Sequence, residues 1–267
     1  MGEWPAWVPE GMLVDVPSAA RVYDYLLGGG HNFPADRAVG DQVLRVLPNG
    51  GQIAGSNRAF LRRAVLYMIS QGITQFLDLG SGIPTVGNVH EIAEQASPDA
   101  RVVYVDHDGV AVAHSELLLS DDPRATVVAA DFTKPDEVLD AGDVARMLDF
   151  SRPIGLLMVA VLHFVPDEKD PRGLVARFRD ELAPGSLVAL SHLTADHKPE
   201  QMAAVTAAMR NSRDPMYFRP HDEFAALFEG LTLVSPGVVS APHWRPEPGS
   251  HTVEGPDDVY VGVGLKP

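Results

Sequence analysis

The chain has 267 residues with 36 acidic against 21 basic side chains, a formal net charge of −15, and is 45% hydrophobic and 21% charged. That length and balance fit one α/β domain with insertions, speak against a nucleic-acid partner, and leave no room for disorder or a fibrous repeat. Cysteine is absent, which excludes disulfides, thiolate metal sites and a cysteine nucleophile together.

In chain order, the start Met1-Gly2-Glu3-Trp4-Pro5 lacks a basic region followed by an apolar one. No window is apolar for the ~18 residues of a spanning helix, so the protein is expected in the cytoplasm and off the membrane. Ala19, Val22, Tyr23 and Leu26 recur at helical spacing, which predicts a helix over 18–27 capped by Ser18 and ended by Gly28 in left-handed conformation. A second helix is predicted over 36–47, stopped by Pro48, and a third from an Asn57 cap through Phe60, Leu61, Ala64, Val65 and Met68 towards Gly72. Residues 1–72 thus read as an N-terminal helical cap and 73–267 as one compact unit. Tyr23, Tyr25, Gly28 to Gly30, His31, Asn32 and Phe33 combine a hinge with aromatic and polar groups that suit a lid over a ligand. Ordinary packing on the sheet edge is the other reading.

After Gly72, short apolar runs at 75–79, 101–106, 126–130, 154–159 and 186–190 read as strands buried on both faces, with helical patterns between them. Such alternation gives a mostly parallel, Rossmann-like sheet with helices on both sides and ligands beyond the carboxyl ends of the strands. The runs at 231–239 and 259–265 are separated by a stretch too short for a crossover helix. They are expected to close the sheet as an antiparallel hairpin.

Asp78-Leu79-Gly80-Ser81-Gly82-Ile83-Pro84 follows the first strand, and its glycines let the backbone turn sharply and approach a ligand. A dinucleotide fingerprint wants a third glycine where Thr85 stands, and Asp78 opposes a pyrophosphate. A Tyr-x-x-x-Lys pair is missing as well, so a nicotinamide cofactor is disfavoured and a cationic ligand preferred. Asp106, followed by His107, ends the second strand and suits a ribose diol, its alternative being a helix cap. Asp131 can accept from an adenine amino group while Phe132 offers the ring an apolar surface; alone, Asp131 is as readily a loop cap. Together these stations make an adenosine site.

The order and spacing of the stations over residues 75–265 resemble the class I methyltransferase fold, which binds S-adenosylmethionine. More narrowly, Pro17 through Gly29, Asn32-Phe33-Pro34-Ala35-Asp36, Asn57-Arg58-Ala59-Phe60-Leu61 and Phe76 through Thr85 resemble a family of actinobacterial S-adenosyl methyltransferases long held as a domain of unknown function. The resemblance implies a seven-stranded sheet with a C-terminal antiparallel hairpin, S-adenosylmethionine as cofactor and an actinobacterial source, and leaves the acceptor open. The cofactor contacts expected are Tyr23, Arg58, Asp78, Gly80, Ser81, Gly82, Asp106, His107, Asp131, Phe132 and Val161. Arg58 would pair with the methionine carboxylate; an exposed helix-face arginine is its plainer reading.

The fourth strand runs into Val161-Leu162-His163-Phe164, and His163 is the best-placed general base for removing a proton from a small-molecule acceptor. A packing histidine is its alternative. Residues 195–219, with Met202, Met209, Tyr217 and Phe218, suit a second wall of an adaptable acceptor pocket. His90, Glu91, His192, Asp196 and His197 lack metal-ligand spacing, and no metal is expected. A regulatory protein that binds the cofactor without turnover is the rival from another class.

Overall fold

The computed structural model describes residues 13–84, 87–247 and 255–267. Thr85 lies outside them. Three helices come first: α1 (Ala19–Leu26), α2 (Pro34–Val46) and α3 (Gly50–Ser70). Ser18 caps α1 by accepting from Arg21 N, and Gly28 closes it at φ +79°, both as predicted. The second helix starts two residues earlier than predicted because Pro34, whose ring presets a helical φ, occupies its first position.

The start of α3 departs from the sequence reading by eight residues, the cap being Asn49 rather than Asn57. Asn57 is not a cap but a buried mid-helix side chain. Gly51 packs where a side chain does not fit, since a Cβ there would lie 2.9 Å from Leu26 O. Close packing on α1 here outweighs glycine's poor helix propensity.

The remaining elements alternate: β1 (Gln75–Leu79), α4 (Val89–Ala96), β2 (Arg101–Asp106), α5 (Gly109–Leu119), β3 (Ala125–Ala129), α6 (Pro135–Leu139), α7 (Gly142–Met147), β4 (Gly155–Met158), α8 (Pro171–Glu181), β5 (Leu187–Leu193), α9 (Pro199–Met209), α10 (His221–Ala226), β6 (Thr232–Leu233), β7 (Val239–Ser240) and β8 (Val259–Leu265). The sheet order is β3-β2-β1-β4-β5-β8-β6; β1 to β5 are parallel and β8 is antiparallel to β5. The run at 231–239 is not one strand. A turn in which Gly237 N donates to Val234 O splits it, and Pro236 has no N–H to give a ladder, so β6 and β7 pair separately with β8 and the sheet counts eight strands.

Side-chain alternation sorts the core onto two faces. Phe76, Val102, Leu157 and Ala189 pack with α3, while Leu77, Val103, Leu156 and Val188 pack with α7 and α8. Burying each large apolar side chain contributes about 1.5–3 kcal/mol, which holds the strand ends in place as a platform. The helices of residues 19–70 share the first of these clusters with the sheet. Among the described residues no helix is long and apolar enough to cross a membrane.

Candidate active site

A cavity of about 180 Å³ opens beyond the carboxyl ends of the strands, under α1, α2, α3 and α9. It sits where the crossovers diverge between β1 and β4, the place open α/β sheets use for ligands. Of the expected cofactor residues, Tyr23, Arg58, Asp78, Gly80, Ser81, Gly82, Asp106, His107, Phe132 and Val161 line it, as does His163. Asp131 does not. Its Oδ1 accepts from Thr133 N and Oγ1 at 2.9 and 2.8 Å, so it shapes its own loop and leaves the wall to Phe132.

The turn after β1 is braced from β2. Gly80 and Ser81 N donate to Val105 O, and Gly82 N donates to Asp106 Oδ2 at 2.7 Å. Gly80 adopts φ +68°, and a Cβ there would lie 2.3 Å from Val161 Cγ1, so only glycine fits between the turn and the β4 loop. The other Asp106 oxygen accepts from Asp108 N at 2.8 Å; Asp108, not Asp106, caps α5 by accepting from Val110 and Ala111 N. A carboxylate oxygen has two lone pairs, so Asp106 keeps capacity for a further donor on each side. Among the described residues Ser81 Oγ is buried without a hydrogen-bond partner, a polar group that a ligand would satisfy.

Alternation along β1 puts Asp78 on the α3 face, in register with Tyr104 and in the field of Arg58. Burial pushes its pKa from 3.8 up to about 7 against the pull of that arginine. Arg58 donates to Gly87 O at 3.0 Å and reaches the cavity wall, so the pair offers one group for an ammonium and one for a carboxylate. An adenosine-bearing amino acid with a positive charge fits this set: an acid, a base, a braced glycine turn and an apolar slot between Phe132 and Val161.

Three groups that the sequence reading did not name as site residues complete the wall. Ser191, in the part of β5 beyond its predicted end, donates to Asn57 Oδ1 at 2.6 Å and accepts from Ala160 N at 2.8 Å. Asn57 Nδ2 in turn donates to Tyr23 Oη, which donates to Ala54 O. This buried chain holds Ala160 at φ +60°, a costly conformation for a residue with a Cβ. Asp214 is the third: it pairs with His107 Nε2 at 3.2 Å and accepts from Ala19 N at 2.8 Å. That pairing raises the His107 pKa and lowers that of Asp214.

His163 is buried, and desolvation, followed by the charges of His192 and Arg219, keeps its pKa well below 6.5. Leu193 N donates to its Nδ1 at 3.4 Å. A neutral ring accepting at Nδ1 carries its proton on Nε2, so in this arrangement His163 presents a donor there. Met202 and Met209 line the cavity as expected, joined by Met216, while Tyr217 is 40% exposed and stands outside.

A family described as S-adenosyl methyltransferase matches residues 5–267. The crystal structure of a DUF574 family protein from Streptomyces avermitilis superposes with a TM-score of 0.91 at 39% identity, covering 95% of this chain and 100% of that one. A protein provisionally assigned as a methyltransferase from Thermobifida fusca gives 0.91 and 39%, covering 98% and 99%. An O-methyltransferase family protein from Burkholderia thailandensis, 11% identical, shares the fold at a TM-score of 0.53, covering 82% and 60%. A search of curated proteins returns no match.

Proposed function

This chain belongs to the S-adenosyl methyltransferase family, and from that premise we propose that it carries the methyl group of S-adenosylmethionine to a small-molecule acceptor held beside His163. One observation carries the reading: a single cavity runs from the braced glycine turn, past His163, to an apolar chamber under α2, α3 and α9. The cofactor supplies an electrophilic methyl group on a sulfonium. Asp106 would hold the ribose hydroxyls, Phe132 and Val161 the adenine, Asp78 the ammonium and Arg58 the carboxylate.

The chain's work on the acceptor is alignment. Methyl transfer needs no covalent enzyme intermediate, and holding a nucleophile in line with the methyl group supplies much of the barrier reduction. His163 orients the acceptor through its Nε2 hydrogen, and α1 with Asp214 roofs the cavity against water. The test is calorimetric titration with S-adenosylmethionine, followed by assay of S-adenosylhomocysteine release with fractionated small-molecule extracts. Tight binding and release with one fraction supports the reading. Binding with no release from any fraction would mark a regulatory protein instead.

A further inference from the structure

The two halves of the cavity differ in chemistry. On the cofactor side stand the carboxylates: Asp78 lies in the field of Arg58, Asp106 takes the Gly82 and Asp108 amides, and Asp24 takes His31 N and Asn32 Nδ2 on Oδ2 while its Oδ1 is buried without a partner among the described residues. Beyond His163 the wall is Val43, Leu47, Ile53, Met202, Val205 and Met209, every one buried. The polar groups among the described residues on that side have committed protons. Tyr23 Oη donates to Ala54 O and Ser191 Oγ to Asn57 Oδ1, and the accepting nitrogen of His163 is used by Leu193 N. Among the described residues, the apolar half of the cavity therefore offers the His163 ring and adaptable apolar walls, with the charged groups gathered on the cofactor side.

Resting on the methyl-transfer reading above, we infer that the acceptor is an uncharged, largely apolar molecule whose reacting atom is a nitrogen lone pair, in an N-heteroaromatic ring or an unprotonated amine. The lone pair forms the new N–CH₃ bond as the S–CH₃ bond breaks with its electron pair staying on sulfur. The positive charge passes from sulfonium to the methylated nitrogen, so the net charge of the cavity is unchanged and no group on the wall has to take a proton. A hydroxyl acceptor must shed a proton, and no carboxylate stands among the apolar walls named above to accept it. A carboxylate would enter apolar walls without a cation to meet it. His163 is a positioning residue here, donating Nε2–H to a second polar atom of the molecule.

The experiment compares three bicyclic probes, isoquinoline, 2-naphthol and 2-naphthoate, at pH 8. The protein is first titrated with S-adenosylhomocysteine, then the saturated complex with each probe, and products formed with S-adenosylmethionine are identified by mass spectrometry. Isoquinoline is expected to bind at least tenfold tighter than 2-naphthoate and to yield N-methylisoquinolinium. Val205→Phe, which fills the chamber from α9, should weaken isoquinoline at least tenfold and leave S-adenosylhomocysteine affinity unchanged, which also shows the variant folded. Equal or tighter binding of 2-naphthoate, methylation of 2-naphthol in preference to isoquinoline, or no isoquinoline binding to the saturated complex overturns the inference. Failure of S-adenosylhomocysteine itself to bind strikes the methyl-transfer reading instead, and the first titration separates the two.

Discussion

Asp78 shows how one side chain is set by its neighbours rather than by its type. Strand alternation turns it to the α3 face, where burial raises its pKa from 3.8 to about 7. A carboxyl whose folded value is raised favours the fold when protonated, so that contribution is whole below about pH 3.8 and is lost as pH rises to about 7. A cationic ligand favours the ionised form, and binding below pH 7 then expels a proton. S-adenosylmethionine affinity should climb roughly tenfold per pH unit towards 7 and level off above it, with Asp78→Asn flattening the profile. Calorimetry in buffers of different ionisation enthalpy measures the proton directly; a flat wild-type profile would remove Asp78 from the cofactor site. The acid before a glycine turn was legible in the sequence, but its pKa was not, because desolvation depends on packing from α3. Likewise Asp131 and Phe132 are adjacent in sequence, and only the loop's path decides which of them faces the cavity.

Short elements take their boundaries from their partners. The junction from β2 to α5 divides two jobs between acids two residues apart: Asp106 braces the glycine turn, and Asp108 caps the helix. Asp108→Ala is expected to lower stability by more than the ~1 kcal/mol of a lost N-cap, because the buried Arg21 also loses an ion-pair partner 3.5 Å away, with a far smaller change in cofactor affinity than Asp106→Ala gives. Asp106→Ala should lower affinity by one to several powers of ten, because it frees Gly82 N as well as removing the acceptors proposed for the ribose. Thermal melts alongside calorimetry check this, and equal affinity losses in the two variants would contradict the division. The capping preference that made Asp106 ambiguous in sequence applies equally to Asp108; hydrogen-bond direction separates them. The same dependence explains Asn57, which reads as a helix start until Tyr23 and Ser191 are brought to it across 34 and 134 residues.

Across the molecule, three distant segments meet at the cavity mouth. Asp214 holds Ala19 N and His107, and Arg213 adds N to Pro17 O and a guanidinium contact to His107 O. With the His107 pKa raised, its share of this clasp is present below 6.5 and lost as pH rises through the raised value. With that of Asp214 lowered, its share is present above 3.8 and lost as pH falls through the lowered value. The clasp is therefore strongest between those limits. Saturation with S-adenosylhomocysteine should slow amide exchange at least tenfold in α1 and around residues 213–217, and Asp214→Ala should speed exchange of α1 in the free protein. Equal exchange with and without ligand would remove the lid reading of the N-terminal helices.

By itself the sequence determined the alternation of strands and helices, the glycine turn, the acids at the strand ends and the resemblance to the methyltransferase family. These are carried by local periodicity and short spacings, which act within a few residues. Only the tertiary structure decided the Leu193 N contact to His163 Nδ1, the raised pKa of Asp78, the Tyr23-Asn57-Ser191 chain, the split of residues 231–239 and the entry of Asp214 into the cavity wall. Each of these rests on desolvation or hydrogen bonding between groups far apart along the chain, and such energies exist only once the fold has brought the partners together.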